Sequence, residues 1–349
     1  MMPKPDQARF VCRRRFRLVR RVWVAPPGFA MTDNLYPGDT LSIGWPICQN
    51  GSSGARDCAN PECPLNLPET VLKILIQQGR RSRMMRVWQA ELDGLPGIAR
   101  LSQDSHNLLY STYNHAQNLC MAFAEAVIEL PEMKKFRVTN LKATDEYMPG
   151  WPPMSPVSLS FFTTWLACDL ELGQRSRTGA ETMGQCFEKA WDYLGLPPEG
   201  LQVQKNFHRS RPYICEHLGL VGQKVRLREL LSDREFLCHI GSGYLGKTQD
   251  LMFMRICPPL VEGPDAYHVT MSSPYILDSS RDDWLQYLQR AIGHGRANKG
   301  PATLDALMKF GLKPTHWLDF IMDGYHGHLS NAIFLMGIPD IKGSLPHAS

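Results

Sequence analysis

The spacing of apolar residues changes twice along this chain of 349 residues, and these changes constrain the fold more than any motif does. Within 31–198, apolar side chains recur mostly at steps of three and four residues, the spacing of helices that are buried on one face. Within 199–272 the apolar runs are short and separated by turn residues, which is typical of paired strands. Helical spacing returns in 273–349. The sequence therefore predicts an α+β fold, with a mainly helical body and a small antiparallel β insert.

The same pattern predicts the individual elements. A strand is expected at 39–47, before a loop rich in Gly, Ser, Asn and Pro. The longest predicted helix is 101–130, and the strongest interior break is the Pro-Gly-Trp-Pro-Pro run at 149–153. The other predicted helices are 71–76, 157–172, 181–194, 282–292, 304–310 and 316–322. The other predicted strands are 224–228, 235–238, 251–256 and 267–270.

Residues 1–30 form a basic leader that differs in composition from the rest of the chain. They hold eight of the 38 Lys and Arg residues but only one of the 34 Asp and Glu residues, which leaves 30 basic against 33 acidic residues elsewhere. The body is therefore mildly acidic despite the net charge of +4, and a nucleic-acid partner is not expected except through the leader. A basic arm that touches nucleic acid or anionic lipid is one alternative. We favour a disordered tail, or upstream sequence before a start at Met31.

Neither a membrane span nor a disulfide framework is indicated by the sequence. No run approaches the roughly 18 consecutive apolar residues of a membrane-spanning helix. Ten cysteines are scattered along the chain, and Cys120, Cys168, Cys186 and Cys257 stand inside apolar runs, as buried thiols do. Scattered thiols are typical of a reducing compartment. We therefore predict a soluble, cytoplasmic protein with no membrane partner.

The segment 241–248 matches the phosphate-binding pattern G-x-x-x-x-G-K-[ST]. In a true P-loop, Gly241, Gly246, Lys247 and Thr248 would hold a nucleotide, with the lysine on phosphate and the threonine on Mg²⁺. That device needs a helix directly after the loop, because the helix N-terminus supplies part of the anion site. Here a short apolar run follows and stops at a Pro-Pro pair, which favours a strand. We therefore predict a hairpin loop, with a nucleotide hydrolase or kinase as the alternative.

The surrounding residues, 224–260, combine several short elements in a fixed order. A strand, a turn of basic and acidic residues, a second strand, a loop with Ser242-Gly243 and Gly246, and a third apolar strand ending in Pro-Pro follow one another. This order resembles a small β module of uncharacterised bacterial proteins, some of which carry a metal-binding SEC-C motif. The likeness covers about a tenth of the chain, which lacks the SEC-C cysteine pattern. The resemblance implies a fold for this piece and favours the hairpin loop, but it implies no reaction.

Two groups of residues are candidate metal ligands, and the first is a set of cysteines in the loop after the predicted strand 39–47. Cys48, Cys58 and Cys63 offer three soft ligands for Zn²⁺, with a fourth such as Cys238 or His239 from elsewhere. Their spacing differs from the paired C-x-x-C of common zinc ribbons. Free or loosely buried thiols are therefore the alternative.

The second group is Asp323, His326 and His328, in the sequence Asp-Gly-Tyr-His-Gly-His. Two imidazoles one residue apart, with a carboxylate as a third ligand, suit a bound metal ion. Surface histidines in a loop at a helix end are the alternative. Zinc is the one cofactor that the sequence indicates.

The sequence gives no strong indication of a catalytic site. Asp169 and Glu171 stand two residues apart, on different sides of a helix, so they do not form a paired acid–base site. The chain contains neither a G-x-S-x-G nucleophile elbow nor an H-E-x-x-H zinc motif. We therefore predict an intracellular binding or regulatory protein without a catalytic site. The alternatives are the nucleotide enzyme described above and a zinc-stabilised interaction protein.

Overall fold

A barrel of strands and a layer of helices make up the part of the chain that the computed structural model describes, residues 78–128, 134–148, 157–171, 182–297 and 303–341. None of the helices in these ranges is long and apolar enough to cross a membrane. The helices are α1 (Gln78–Leu92), α2 (Ile98–Ser105), α3 (Leu108–Ile128), α4 (Lys134–Tyr147), α5 (Val157–Cys168), α6 (Met183–Ala190), α7 (Pro198–Arg209), α8 (Arg281–Ala297), α9 (Leu304–Phe310) and α10 (His316–Gly324). The strands are β1 (Arg211–Val221), β2 (Lys224–Glu229), β3 (Glu235–His239), β4 (Leu251–Cys257), β5 (His268–Thr270), β6 (Tyr275–Leu277), β7 (Tyr325–Leu329) and β8 (Ala332–Leu335).

Five of these strands close into a barrel. β1 pairs with β2, β2 with β3, β3 with β5 and β5 with β4, and β4 pairs back with β1. Every pair is antiparallel except that of β3 with β5. A register shift between His217 and Gly219 marks a bulge in β1, and such bulges help a strand bend around a barrel. Each of the five strands therefore has a hydrogen-bonded neighbour on both sides.

The strand β4 separates two apolar cores, because all seven of its residues are buried. Met252 and Ile256 belong to the core inside the barrel. Leu251 and Phe253 belong to the larger core between the sheet and the helices. A strand covered on both faces is expected to show a continuous apolar run without alternation, as this one does apart from Arg255.

The helical layer packs on this outer face of the barrel through aromatic side chains. Phe161 of α5 lies 5.5 Å from Phe253 of β4, measured between ring centroids. Further from the sheet, Phe123 of α3 stacks on Phe187 of α6 at 5.0 Å, and Trp88 of α1 meets Phe123 edge-on at 6.4 Å. Large rings dominate the burial energy of such cores, so these contacts hold the helices to one another and to the barrel.

The prediction of a mainly helical body with a small β insert is wrong, because eight strands form one sheet. Beyond β4 the sheet continues through β6 and β8 to β7. These three strands lie in the segment 273–349, where helical spacing was expected. They are three to five residues long and stand next to helices, so alternation had too little length in which to appear. The fold is a mixed α+β structure with a substantial sheet.

The single long helix predicted for 101–130 is also wrong. His106 adopts a left-handed conformation with a φ of 53°, which ends α2. The side chain of Asn107 then accepts a hydrogen bond from the backbone N–H of Tyr110 at 2.9 Å, which favours a new helix start at α3. The strands predicted at 224–228, 235–238, 251–256 and 267–270 are confirmed as β2, β3, β4 and β5.

Several predicted segments lie outside the described residues. They are the leader 1–30, the strand 39–47 and the helix 71–76. Within 224–260 the structure has three strands and a loop in the expected order. The resemblance of this piece to bacterial β modules stays a prediction.

The six cysteines of the described ranges form no disulfide, and all six are buried. Burial raises the pKa of Cys168 to about 11 and that of Cys257 to about 12, which suppresses the reactive thiolate form. We expect peptides that carry these six thiols to stay unlabelled by iodoacetamide in the native protein at neutral pH, and to be labelled after unfolding in urea. Peptide mapping by mass spectrometry measures both states. Rapid labelling of any of the six in the folded protein would contradict the packing described above.

Candidate functional site

The segment with the P-loop pattern is a connection between β3 and β4. Thr248 is exposed, and β4 begins three residues later, so a strand rather than a helix follows the loop. The strands on both sides were predicted correctly, but the hairpin was not. β3 pairs with β2 and β5, whereas β4 pairs with β1, β5 and β6. The loop therefore joins two strands that are not paired with each other.

The amides of this loop bind groups of the protein itself. The backbone N–H of Lys247 donates to Oδ2 of Asp250 at 2.7 Å, and that of Gly241 donates to Oγ1 of Thr270 at 3.1 Å. The carboxylate of Asp250 thus accepts a hydrogen bond from a backbone amide, the kind of donor that binds phosphate in a P-loop. The loop also lacks the helix N-terminus that the device needs. We therefore propose no nucleotide chemistry for the predicted group of Gly241, Gly246, Lys247 and Thr248.

The histidines of the second predicted metal group bind different partners. His326 Nε2 lies 2.9 Å from Oδ2 of Asp278, whereas His328 Nδ1 lies 2.6 Å from the hydroxyl of Tyr325. Asp323 is exposed in α10, one element earlier. Within the described ranges, no three His, Cys, Asp or Glu side chains are placed to hold a metal ion. The first predicted metal group, Cys48, Cys58 and Cys63, lies outside the described residues.

A polar cavity of about 270 Å³ lies where α6, α7 and α9 meet. Helix α6 runs along it from its N-cap to its last turn, and the last turns of α7 and α9 complete the lining. We call it the α6–α7–α9 pocket and regard it as the candidate functional site. Its lining residues are Thr182, Gln185, Glu188, Lys189, His208, Arg209, Lys309 and Phe310.

Local sequence signals place α6 against this pocket. Thr182 and Gln185 form a capping box, in which each side chain accepts a hydrogen bond from the other residue's backbone N–H. Gly184 then brings the helix onto His208, because a Cβ atom at this position would lie 2.5 Å from the Cβ of the histidine. Glycine is the residue that permits so close an approach. One turn further along the helix, Glu188 reaches the ring of His208.

A buried ion network lies beneath the pocket. The fully buried Arg255 of β4 donates from Nη2 to Oδ2 of Asp169, and from Nη1 to the carbonyl of Ser210 at 2.5 Å. The other carboxylate oxygen of Asp169 lies 3.2 Å from Nζ of Lys309. Lys309 also donates to the carbonyls of His208, at 2.6 Å, and Ser210, at 3.0 Å. The network therefore links the barrel to the C-terminal ends of α5, α7 and α9.

His208 is a buried, neutral histidine at the edge of the pocket. Burial, together with the positive charges of Lys309 and Arg209, lowers the pKa of His208 to about 3. Its Nε2 lies 3.1 Å from Oε2 of Glu188, so the carboxylate is in contact with this nitrogen. The opposite nitrogen, Nδ1, is buried away from solvent. The imidazole is therefore fixed in position and does not offer a free nitrogen to the pocket.

This neutral histidine has a consequence for stability in acid. A histidine with a pKa near 6.5 in the unfolded chain and about 3 in the folded protein stabilises the fold fully above pH 6.5. That contribution is lost as the pH falls from 6.5 towards 3, by up to about 1.4 kcal/mol per pH unit. We expect His208→Gln to make the free energy of unfolding less dependent on pH within this window. Urea denaturation at a series of pH values measures the slope.

The matched control is His106→Asn, at an exposed position where asparagine tolerates the left-handed backbone. This variant should keep the slope of the original protein. Burial also lowers the pKa of His268 and of His316, each to about 4, so part of the acid sensitivity should remain in His208→Gln. Equal slopes in His208→Gln and in the original protein would contradict the buried, neutral state of His208.

Lys309 and His208, two ionisable groups of the pocket, are both in contact with other groups of the protein. Lys309 donates two hydrogen bonds, to the carbonyls of His208 and Ser210, and its charge is paired with the carboxylate of Asp169. The imidazole of His208 is committed to Glu188, as described above. A histidine acts as a general base through a nitrogen within hydrogen-bonding reach of the substrate, and a catalytic lysine needs an uncommitted amine. Neither His208 nor Lys309 meets its condition.

Sequence reasoning missed this pocket because its members are far apart in the chain and belong to no motif. Asp169 pairs with Arg255 and Lys309, which stand 86 and 140 positions further on, rather than with the neighbouring Glu171. One local signal was present, the Thr-x-x-Gln capping pattern at 182–185, which marks the start of α6. Comparison with protein families, with curated proteins and with solved structures gives no match for this chain.

Proposed function

We propose that this chain is a soluble, cytoplasmic binding protein without a catalytic role, and that its ligand occupies the α6–α7–α9 pocket. The observation that carries the proposal is the commitment of the two acid–base groups of the pocket floor. Lys309 and His208 are both held by protein partners. The groups on the rim, Lys189 and Arg209, are exposed and face a cavity with one apolar wall, Phe310. Sites with a few polar groups beside an apolar wall are typical of ligand binding.

The proposed location in the cytoplasm is supported by the thiols. None of the six cysteines of the described ranges forms a disulfide, although several stand close enough to influence one another's pKa, as Cys168 does that of Cys257. Thiols without disulfides in such number are typical of a reducing compartment.

The proposal predicts that some small polar compounds stabilise the protein and that closing the pocket abolishes the effect. A ligand at one hundred times its dissociation constant adds about 2.7 kcal/mol to the free energy of unfolding. A screen of small polar metabolites by thermal denaturation finds such compounds. Lys189→Trp places a large ring at the mouth of the pocket and should remove the stabilisation. Lys142→Trp, at an exposed position of α4 outside the pocket, is the matched control and should retain it.

Three results would overturn the proposal. One is a screen in which no compound stabilises the protein. Another is a stabilising compound whose effect survives Lys189→Trp unchanged. The third is chemical conversion of the bound compound, detected by mass spectrometry, because such conversion would make the protein an enzyme.

A further inference from the structure

We infer that the ligand of the α6–α7–α9 pocket is a small oxyanion, a compound with a phosphate or carboxylate group that is bound by Arg209 at the rim and by Lys205, one turn earlier in α7. This inference rests on the proposed function, since it names the class of ligand for the same pocket. It is carried by the charge balance of the pocket, by the hydrogen-bonding state of the rim and by the potential at its floor.

The charges at and directly beneath the pocket are predominantly positive. Glu188 is the only carboxylate among the lining residues. The second carboxylate, that of Asp169, lies beneath the floor and is bound by Arg255 and Lys309. Against these two stand the five cationic side chains Lys189, Lys205, Arg209, Arg255 and Lys309.

Lys205 and Arg209 have hydrogen-bonding capacity that Glu188 does not use. Oε1 of Glu188 lies 3.9 Å from Nζ of Lys205 and 3.9 Å from Nη2 of Arg209. Hydrogen bonds between such groups are about 2.7–2.9 Å long, so both contacts are loose ion pairs. The side chain of Arg209 is 65% exposed and that of Lys205 is 31% exposed. An oxyanion placed between them can accept short, charge-assisted bonds that Glu188 does not provide.

The lowered pKa of His208 indicates the same positive potential at the floor of the pocket. After burial, the causes that lower the pKa of His208 include the charges of Lys309, Arg209 and Lys205. A site where neighbouring cations disfavour another positive charge favours a negative one by the same Coulombic interaction. Lys309 contributes its charge to this potential, although the carbonyls of His208 and Ser210 bind its N–H donors and Asp169 pairs with its charge.

The size of the cavity limits the ligand. Its volume of about 270 Å³ is just below the range for small-molecule sites, which starts at about 300 Å³. A small organic acid or a phosphorylated fragment fits this limit. Phe310, which is 40% exposed, gives the apolar part of such a ligand a surface to pack against.

Binding of inorganic phosphate and of succinate, measured by isothermal titration calorimetry on the full chain at low ionic strength, tests the inference. We expect at least one of the two to bind and its affinity to fall as salt is added. Phosphate binding alone would identify the ligand as a phosphate compound, and succinate binding alone as a carboxylate compound. Arg209→Ala should raise the dissociation constant about tenfold, as expected for the loss of a hydrogen bond to a charged group.

The matched control is Arg226→Ala, which removes an exposed arginine of β2 outside the pocket and should leave the affinity unchanged. Thermal denaturation checks that both variants are folded. No binding of either anion, or equal effects of the two variants, would overturn the inference. The protein could instead bind a neutral compound, lose that binding in Lys189→Trp, and bind neither phosphate nor succinate. This result would overturn the oxyanion inference and leave the proposed function intact. If no compound of any charge binds, both proposals fall.

Discussion

Replacing Asp169 with alanine is expected to lower the free energy of unfolding by about 3–5 kcal/mol, the range for breaking a buried ion pair by removing one partner. The carboxylate is bound by Arg255, which is fully buried, and by Lys309. Without it, the guanidinium keeps the carbonyl of Ser210 as an acceptor but loses the carboxylate with which it is paired. A loss of this size is a large fraction of the stability of a typical domain. Urea denaturation at neutral pH measures it.

Asp305→Ala is the matched control, because it also removes a carboxylate from an arginine. Asp305 lies 2.6 Å from Nε of Arg211, but its side chain is 79% exposed, and Arg211 keeps a second partner in Glu229. Exposed ion pairs contribute less than about 1 kcal/mol, so this variant should lose little. Similar small losses in the two variants would contradict a buried network that holds the helices to the barrel.

Replacing Gly184 with alanine is expected to destabilise the protein by about 1–3 kcal/mol, the usual cost of overpacking a core. The sign of the change in the free energy of unfolding is informative, because a glycine-to-alanine change in a helix ordinarily stabilises a protein by about 1 kcal/mol. Here the new methyl group would lie 2.5 Å from Cβ of His208 and 3.1 Å from the carbonyl oxygen of Ala167. Either α6 or α7 must move, and the pocket between them changes shape. The free energy of unfolding in urea gives the sign directly.

Gly263→Ala is the control for this substitution. Gly263 is exposed, its φ lies outside the left-handed region, and a Cβ there would meet nothing within 4 Å. The free energy of unfolding should change by no more than about 0.5 kcal/mol. If Gly184→Ala instead stabilised the protein, α6 would not be packed on His208, and the pocket described here would not exist in this form.

The sequence predicted the elements whose pattern was long enough to read. β2 to β5 were found because short apolar runs alternate with turn residues, and α9 was found with its bounds because its spacing is helical over the whole element. The absence of a helix after Thr248 was predicted correctly from the Pro-Pro pair that ends the next apolar run. These are local signals, and local signals decide local structure.

What sequence reasoning missed depends on pairing between distant residues. Closure of the barrel pairs β4 with β1 and β5 and not with β3. The loop at 241–250 is therefore not the predicted hairpin. β6, β7 and β8 are too short to show a period. The break at His106 depends on the left-handed conformation of a single histidine, which the apolar spacing does not show. The ion network of Asp169, Arg255 and Lys309 has no sequence signal, since each member is an ordinary charged residue until the fold removes it from water.

We propose that this chain binds its ligand between α6, α7 and α9 and not in the loop with the P-loop pattern. Backbone amide chemical shifts of the deuterated full chain, recorded by TROSY NMR during titration with phosphate, succinate and ATP, test it most directly. The account predicts shifts concentrated at residues 182–189, 205–210 and 309–310, with the amides of 241–250 unchanged by ATP. Shifts centred on Gly241 to Thr248, with the pocket residues unaffected, would contradict it.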